Sequence, residues 1–319
     1  MKKRAEAGTL SRAACFLLQS ADARGWWRDC ETQAGISDEW VTAYTACALA
    51  ACPDSAARAA AGRALDLLRR RRPAMDGWAF NDRVPPDADS TIWVCRLSRT
   101  LDPSTDLRPA LAFLLHCQRS DGGVATYPSE EGVRRSMRLP PHVSCRGWLQ
   151  SHACVTAAAA VLPELGCLTE LRSYLRRAQR PDGSWQGYWW PDPDYPTALA
   201  VEALRQHGAA EDLPAIQAAL AWTHAHPPRP SAFALACALR ILRDDPPRCR
   251  ELADSLARLQ NDDGSWPSSA RIRIPPPDVL NPAAIWNWSD RRYDIYSIRP
   301  DHARLFTTAT VLSALLSLS

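Results

Sequence analysis

Apolar residues recur at helical spacing in several stretches of the chain. Leu107, Ala110, Leu111, Leu114 and Leu115 share one helical face. Leu171, Tyr174 and Leu175 do the same, as do Leu252, Leu256 and Leu259. Each stretch runs into a short polar string built around a glycine. The copies are Asp76-Gly77-Trp78, Gln118-Arg119-Ser120-Asp121-Gly122-Gly123, Gln179-Arg180-Pro181-Asp182-Gly183-Ser184-Trp185 and Gln260-Asn261-Asp262-Asp263-Gly264-Ser265-Trp266, with a looser form from Gln19 to Trp26. Glycine can adopt the left-handed conformation that caps a helix C-terminus, so the pattern predicts that each helix stops there.

A second helix follows each string. It is rich in alanine and carries a threonine near its start: Thr42-Ala43, Thr91-Ile92, Thr156-Ala157, Thr197-Ala198 and Thr308-Ala309. The gap between Gly183 and Gly264 is too long for one unit and holds a degenerate copy. It reads as a helix near Leu213 to Thr223, a His-Pro-rich loop from His224 to Pro230 and an Ala-rich helix from Ser231 to Leu242. Six helical hairpins result. An open solenoid needs polar capping repeats, and none is visible. The pattern therefore predicts an all-α fold, a single (α/α)6 toroid with the Ala-rich helices as inner wall, in one domain over residues 1–319. Two loops, 123–151 and 267–301, are long enough to be functional. They fall at the end where the inner helices start, and the site is expected there.

Composition narrows the class. Of 319 residues, 46% are hydrophobic and 23% charged, which suits a globular chain with a sizeable core. The net charge is +3 and the basic residues are scattered. The run Arg69, Arg70, Arg71 and Arg72 reads as a solvated helix C-terminus. A nucleic-acid partner would need a wider basic stripe and is not expected. No apolar stretch reaches the ~20 residues of a membrane span. The reading is a cytoplasmic protein that could still touch a membrane peripherally. The eleven cysteines form neither a CxxC pair nor a tight Cys/His cluster, so they read as buried thiols, with no metal site.

Candidate chemistry gathers at the starts of the inner helices. Asp38 and Glu39, Asp87 and Asp89, His152, Asp192 and Asp194 all sit there. So do Arg291, Arg292, Asp294, Arg299, Asp301 and His302. Many such residues serve as ordinary caps: Ser37 or Asp38 for the first inner helix, Ser90 for the second. The segment Pro85-Pro86-Asp87-Ala88-Asp89-Ser90-Thr91 asks for more. It places two carboxylates two residues apart at a helix start, and apolar surroundings can keep one of them protonated. Thirteen tryptophans against five phenylalanines supply aromatic faces that attract cations. Trp26, Trp78, Trp185 and Trp266 occupy the repeat position. Trp40 and Trp93, with the off-repeat Trp189, Trp190, Trp286 and Trp288, are candidates to line a cavity.

The Gln…Asp-Gly-Ser-Trp string resembles the repeat of the squalene-hopene cyclase and class II terpene cyclase superfamily, over about residues 9 to 317. The superfamily's Asp-x-Asp-Asp motif resembles Asp87-Ala88-Asp89-Ser90, with Ser90 in place of the last aspartate. The resemblance implies that Asp89 is the general acid, held by Asp87 and Ser90, and that it protonates an alkene or epoxide of an isoprenoid or prenylated substrate. Trp40, Trp93, His152, Trp189, Trp190 and Asp194 are expected around that substrate, with Trp286, Trp288, Arg291, Arg292, Tyr296 and His302. Tyr296, His152 or water would remove the last proton. No cofactor is required, and Mg²⁺ enters only if the substrate carries a diphosphate.

A single ring suits a substrate of sesquiterpenoid or diterpenoid size, or a prenylated aromatic. A second protein or self-association could complete its cavity. The alternative reading is a non-catalytic ring that binds an isoprenoid or natural-product intermediate, and it draws on Ser90. A zinc prenyltransferase is disfavoured because no Asp-x-Cys is present. A glycan-active enzyme would have to rely on Asp38, Glu39 and Asp194.

Overall fold

In the computed structural model, which describes residues 2–285, 287–288 and 297–318, twelve of the helices form six outer–inner hairpins. The outer helices are α1 (Lys2–Gln19), α3 (Ser55–Arg71), α5 (Arg108–Cys117), α9 (Leu168–Ala178), α11 (Leu213–Ala225) and α13 (Pro246–Leu259). The inner helices are α2 (Glu39–Ala50), α4 (Ala88–Leu101), α8 (Ala153–Ala159), α10 (Asp194–His207), α12 (Ala232–Ile241) and α14 (Leu305–Leu316). Each inner helix packs on the next, and α14 returns to α2, so the ring closes. All seven residues of α8 and all but one of α2 are buried. Alanine is what lets six helices crowd round one axis. The outer helices keep a single apolar stripe, such as Leu171 and Leu175 of α9.

The repeat string makes the joints. A Trp indole N–H donates to a carbonyl ten residues earlier, near the C-terminus of its outer helix. Trp78 does so to Leu68, Trp185 to Leu175 and Trp266 to Leu256, at 2.7–3.0 Å. The backbone N–H of the same residue donates to the inner-helix threonine: Trp78 to Thr91, Trp185 to Thr197 and Trp266 to Thr308. In the third unit Val124 takes the Trp position and donates to Thr156. In the first unit Trp27, and not Trp26, makes both bonds, to Leu17 and Thr42. Trp26 lies one residue early and is covered by Arg71, whose guanidinium stands 3.9 Å from its ring.

The outer helices do not end on the glycine as the pattern suggested. They end at Gln118, Gln179 and Gln260 in extended backbone, and the glycine closes the turn four residues on. At Gly183 and Gly264, φ is +94° and +89°. A Cβ there would lie 2.3 Å from the carbonyl oxygen of Ala218 or Arg12 on the next outer helix. Both the conformation and the close approach require glycine.

The all-α expectation misses two antiparallel ribbons. Strand β1 (Asp29–Thr32) pairs with β2 (Gly35–Ser37), and β3 (Arg271–Ile274) with β4 (Ser297–Pro300). It also misses two short helices inside the 123–151 loop, α6 (Glu130–Met137) and α7 (Arg146–Leu149). The two long loops are laced together, since Gly147 N–H donates to Pro277 and the Trp148 indole donates to Pro275. No helix among the described residues is long and apolar enough to cross a membrane.

Candidate active site

Asp87 precedes α4 with extended backbone and caps it, its carboxylate accepting the Ser90 N–H at 2.8 Å. The Ser90 hydroxyl donates to the other oxygen at 2.7 Å. Ser90 is therefore not the cap; it gives both of its donors to one, and the motif's missing carboxylate leaves no gap. The Ala88 N–H donates to the Thr126 carbonyl, which ties the two-aspartate segment to the long loop. Burial pushes the Asp87 carboxyl up to about 7, against the pull of the two Ser90 donors.

Asp89, two residues on, is accessible only in part and lines a cavity of ≈ 840 Å³. The indole N–H groups of Trp93 and Trp40 bear on its carboxyl and, with Arg96, favour its charged form. Both indole nitrogens are buried without a partner at hydrogen-bond distance. Burial opposes them and wins, raising the group to about 7. The magnitudes agree. A helix N-terminus favours a carboxylate by about 0.3–1 kcal/mol, below one pKa unit, whereas full burial disfavours it by up to ~3–5 units. Asp89 thus holds a proton near neutral pH beside an apolar space.

The cavity wall is aromatic and aliphatic. Trp40 lies in the first turn of α2, and Trp189 and Trp190 come from the loop before α10. Phe80, Val84 and Pro85 come from the loop before α4, and Tyr127 and Trp148 from the long loop. Val133 and Met137 of α6 close one side, and Ile272 and Ile274 of β3 another. Thr32, Gln33 and Ser136 contribute most of the polar edge away from the aspartates, and no cation among the described residues lines it. Walls from the ring, a ribbon and both long loops thus come from this chain.

Other expected residues fall elsewhere. Trp93 stands behind Asp89 and does not line the cavity. His152 is buried outside it and stacked on Tyr188 at 4.1 Å. Its Nε2–H donates to the Gly147 carbonyl at 2.9 Å, which leaves Nδ1 to accept from the Thr126 hydroxyl at 2.8 Å. Thr126 in turn accepts the Trp189 indole N–H at 2.7 Å. Burial drives His152 down to about 3, so it is neutral with both nitrogens engaged, a brace for Trp189 and no proton acceptor. Asp194 lies beside Asp192, which pairs with Arg229 and Arg271, away from the cavity. His302 is exposed. Trp288 lies 5.9 Å beneath Arg273, and Arg299 sits on β4; neither lines the cavity. Trp286, Arg291, Arg292, Asp294 and Tyr296 lie outside the described residues.

Asp38 and Glu39 are neutralised as a pair. Glu39 is fully buried and paired with Arg71 and Arg72, and Asp38 is paired with Arg71. Of the basic run, Arg71 and Arg72 therefore turn inward to these carboxylates, and Arg70 is exposed. Among the described residues no group of three or more His, Cys, Asp or Glu side chains could hold a metal ion.

Sequence reasoning missed Thr126, Tyr127, Val133 and Met137. A signal for α6 was present: Val133 and Met137 are four apart, flanked by the pairs Glu130–Arg134 and Glu131–Arg135.

A toroid of six hairpins with a protonated aspartate at the mouth of its inner wall defines a class II terpenoid cyclase, and the chain belongs to the squalene-hopene cyclase family. The family model described as the squalene-hopene cyclase C-terminal domain matches residues 36–231. Among solved structures, the type II terpene cyclase MstE from Scytonema is 36% identical, with a TM-score of 0.91 over 98% of each chain. A variant of that enzyme in complex with geranylgeranyl dihydroxybenzoate, its substrate, is 34% identical, with a TM-score of 0.91 over 99% of this chain and 97% of that one. Human lanosterol synthase is 30% identical over 118 residues, 32% of this chain. The chain spans only 16% of that much longer relative.

Proposed function

We propose that the chain cyclises a polyprenyl chain attached to an aromatic acid, of the geranylgeranyl dihydroxybenzoate type, with Asp89 as the general acid. The observation that carries this reading is a carboxyl that keeps its proton to about pH 7 and borders an apolar, aromatic-lined cavity. The Asp89 O–H adds its proton to an alkene carbon, and the alkene electron pair forms the new C–H bond. The cation left behind is attacked by the next double bond, and rings close in turn until a carbon beside the last cation loses its proton. The C–H electron pair becomes the product's double bond, and the proton lost balances the one Asp89 gave. The Asp89 carboxylate so formed faces the Trp40 and Trp93 N–H groups, which favour its charge.

The faces of Trp40, Trp148, Trp189 and Trp190 attract the migrating cation. The dry walls keep water from quenching it early. Asp87 and Ser90 fix the start of α4 and with it the place of Asp89. The likeness to MstE over nearly the whole chain supports a substrate of that class. A carboxylate head group, unlike a diphosphate, asks for no Mg²⁺.

The test is product analysis with geranylgeranyl dihydroxybenzoate. Asp89→Asn is expected to lower product formation by 10²-fold or more while substrate binding persists, since proton transfer by a positioned group is typically worth ~10²–10⁴. Unchanged turnover in this variant would end the mechanism.

A further inference from the structure

The ring has a second cavity at its opposite end, where the inner helices finish. It is partly open to solvent and is separated from the first by an aromatic layer. Trp40 and Trp190 face the mouth, Tyr44 and Trp93 face the far cavity, and Phe306 lies between, 4.7 Å from Trp40 and 3.9 Å from Tyr44. Four guanidiniums, Arg96, Arg205, Arg240 and Arg243, converge on the far cavity with one carboxylate, Glu202.

Helix C-termini carry partial negative charge, and that explains why cations collect here. It does not explain where their donors point. Of the four, only Arg205 donates to a helix carbonyl, that of Arg240. Arg96 and Arg240 both pair with Glu202, Arg96 at 2.6 Å. Arg205 pairs with Asp244 at 3.1 Å, an aspartate that is 71% exposed. Arg243 has only a long contact of 3.8 Å to the same group. Counting Asp244, four positive charges meet two negative ones. Arg96 Nη1 is buried without a partner. Arg205 and Arg240 are 9% and 13% exposed, so their charges are held inside the cavity and only weakly screened.

We propose that this far cavity is a binding site for a multiply charged oxyanion of the phosphate or diphosphate type. Each guanidinium offers five donors in a planar fork that matches such oxygens. Glu202 occupies part of that donor set and sets the register of Arg96 and Arg240. None of the four arginines lines the mouth, and of the four only Arg96 also acts on Asp89, so Arg243→Gln tests this site separately from the proposed cyclisation.

Calorimetric titration of the full chain at matched ionic strength tests it, with inorganic phosphate, pyrophosphate and farnesyl diphosphate as probes. Saturable one-to-one binding of pyrophosphate is expected, weakened about tenfold or more in Arg96→Gln and in Arg243→Gln. Arg243 is 46% exposed, so that variant is the one least able to disturb the fold. Asp89→Asn should bind pyrophosphate as the unaltered chain does. Farnesyl diphosphate binding no weaker than pyrophosphate, with the same sensitivity to Arg243→Gln, would identify a prenyl diphosphate head group as the source, and binding of the inorganic anions alone would identify free phosphate. The proposal is overturned by no saturable binding, by an affinity in both arginine variants unchanged from that of the unaltered chain, or by binding that is lost in Asp89→Asn while the arginine variants keep it.

Discussion

The two ends of the ring are made by the same inner helices, yet they are chemical opposites. At the mouth, where the inner helices begin, helix dipoles favour negative charge, but the carboxyls of Asp87 and Asp89 are pushed toward their neutral forms because burial outweighs the dipole. At the far end, burial works against the Glu202 charge too, yet Arg240 and Arg96 hold its carboxyl down at about 2. A buried acid stays protonated where the cation nearby, Arg96, acts only at a distance, and stays ionised where two guanidiniums pair with it directly. The difference lies in the neighbours and owes nothing to the helices themselves.

The largest test of this contrast is Asp89→Asn, which should cut product formation by ~10²–10⁴ and leave the far cavity untouched, as product analysis and anion titration together would read. Next is Thr126→Val. It strands the Trp189 indole N–H and the His152 ring nitrogen in the mouth wall, and should cost about 1–3 kcal/mol, read as a lower denaturation midpoint. Trp40→Phe keeps the ring but removes an N–H that favours the Asp89 carboxylate. Cyclisation needs the protonated acid, so activity should fall as pH rises past about 7. In this variant the falling limb should move up by about one pH unit, roughly 1.4 kcal/mol, and the plateau rate should drop. Arg96→Gln withdraws a more distant charge with the same sign of effect. It should move that limb upward by less than about one unit, and a downward shift in the pH–rate profile would sink the electrostatic account.

Much of the fold was legible because it is written in repeats. The spacing of the Gly and Trp positions, the helical stripes and the Ala-rich partners each specify a local unit, and six units that cannot bury their faces alone have to stack. The proposed acid was nameable too, since Asp87, Asp89 and Ser90 fall within four residues and one helix start carries all three. Reading Trp26 for Trp27 shows the limit. Neighbouring tryptophans look alike in a string, and only the hydrogen bonds to Leu17 and Thr42 distinguish the joint from the ring beneath Arg71.

What tertiary structure alone decided is who meets whom across the ring. Glu39 and the run at 69–72 are over thirty residues apart, Arg96 and Glu202 over a hundred, and nothing local in the chain announces either pairing. The same holds for His152. As a residue at a helix start it could have served as a base, but burial against Tyr188 and two hydrogen bonds leave it neutral and occupied. The chain alone determines the period and offers the candidate proton donor, because both are carried by neighbouring residues. Protonation state and cavity lining depend on desolvation and on distant charges, and those exist only once the ring has closed.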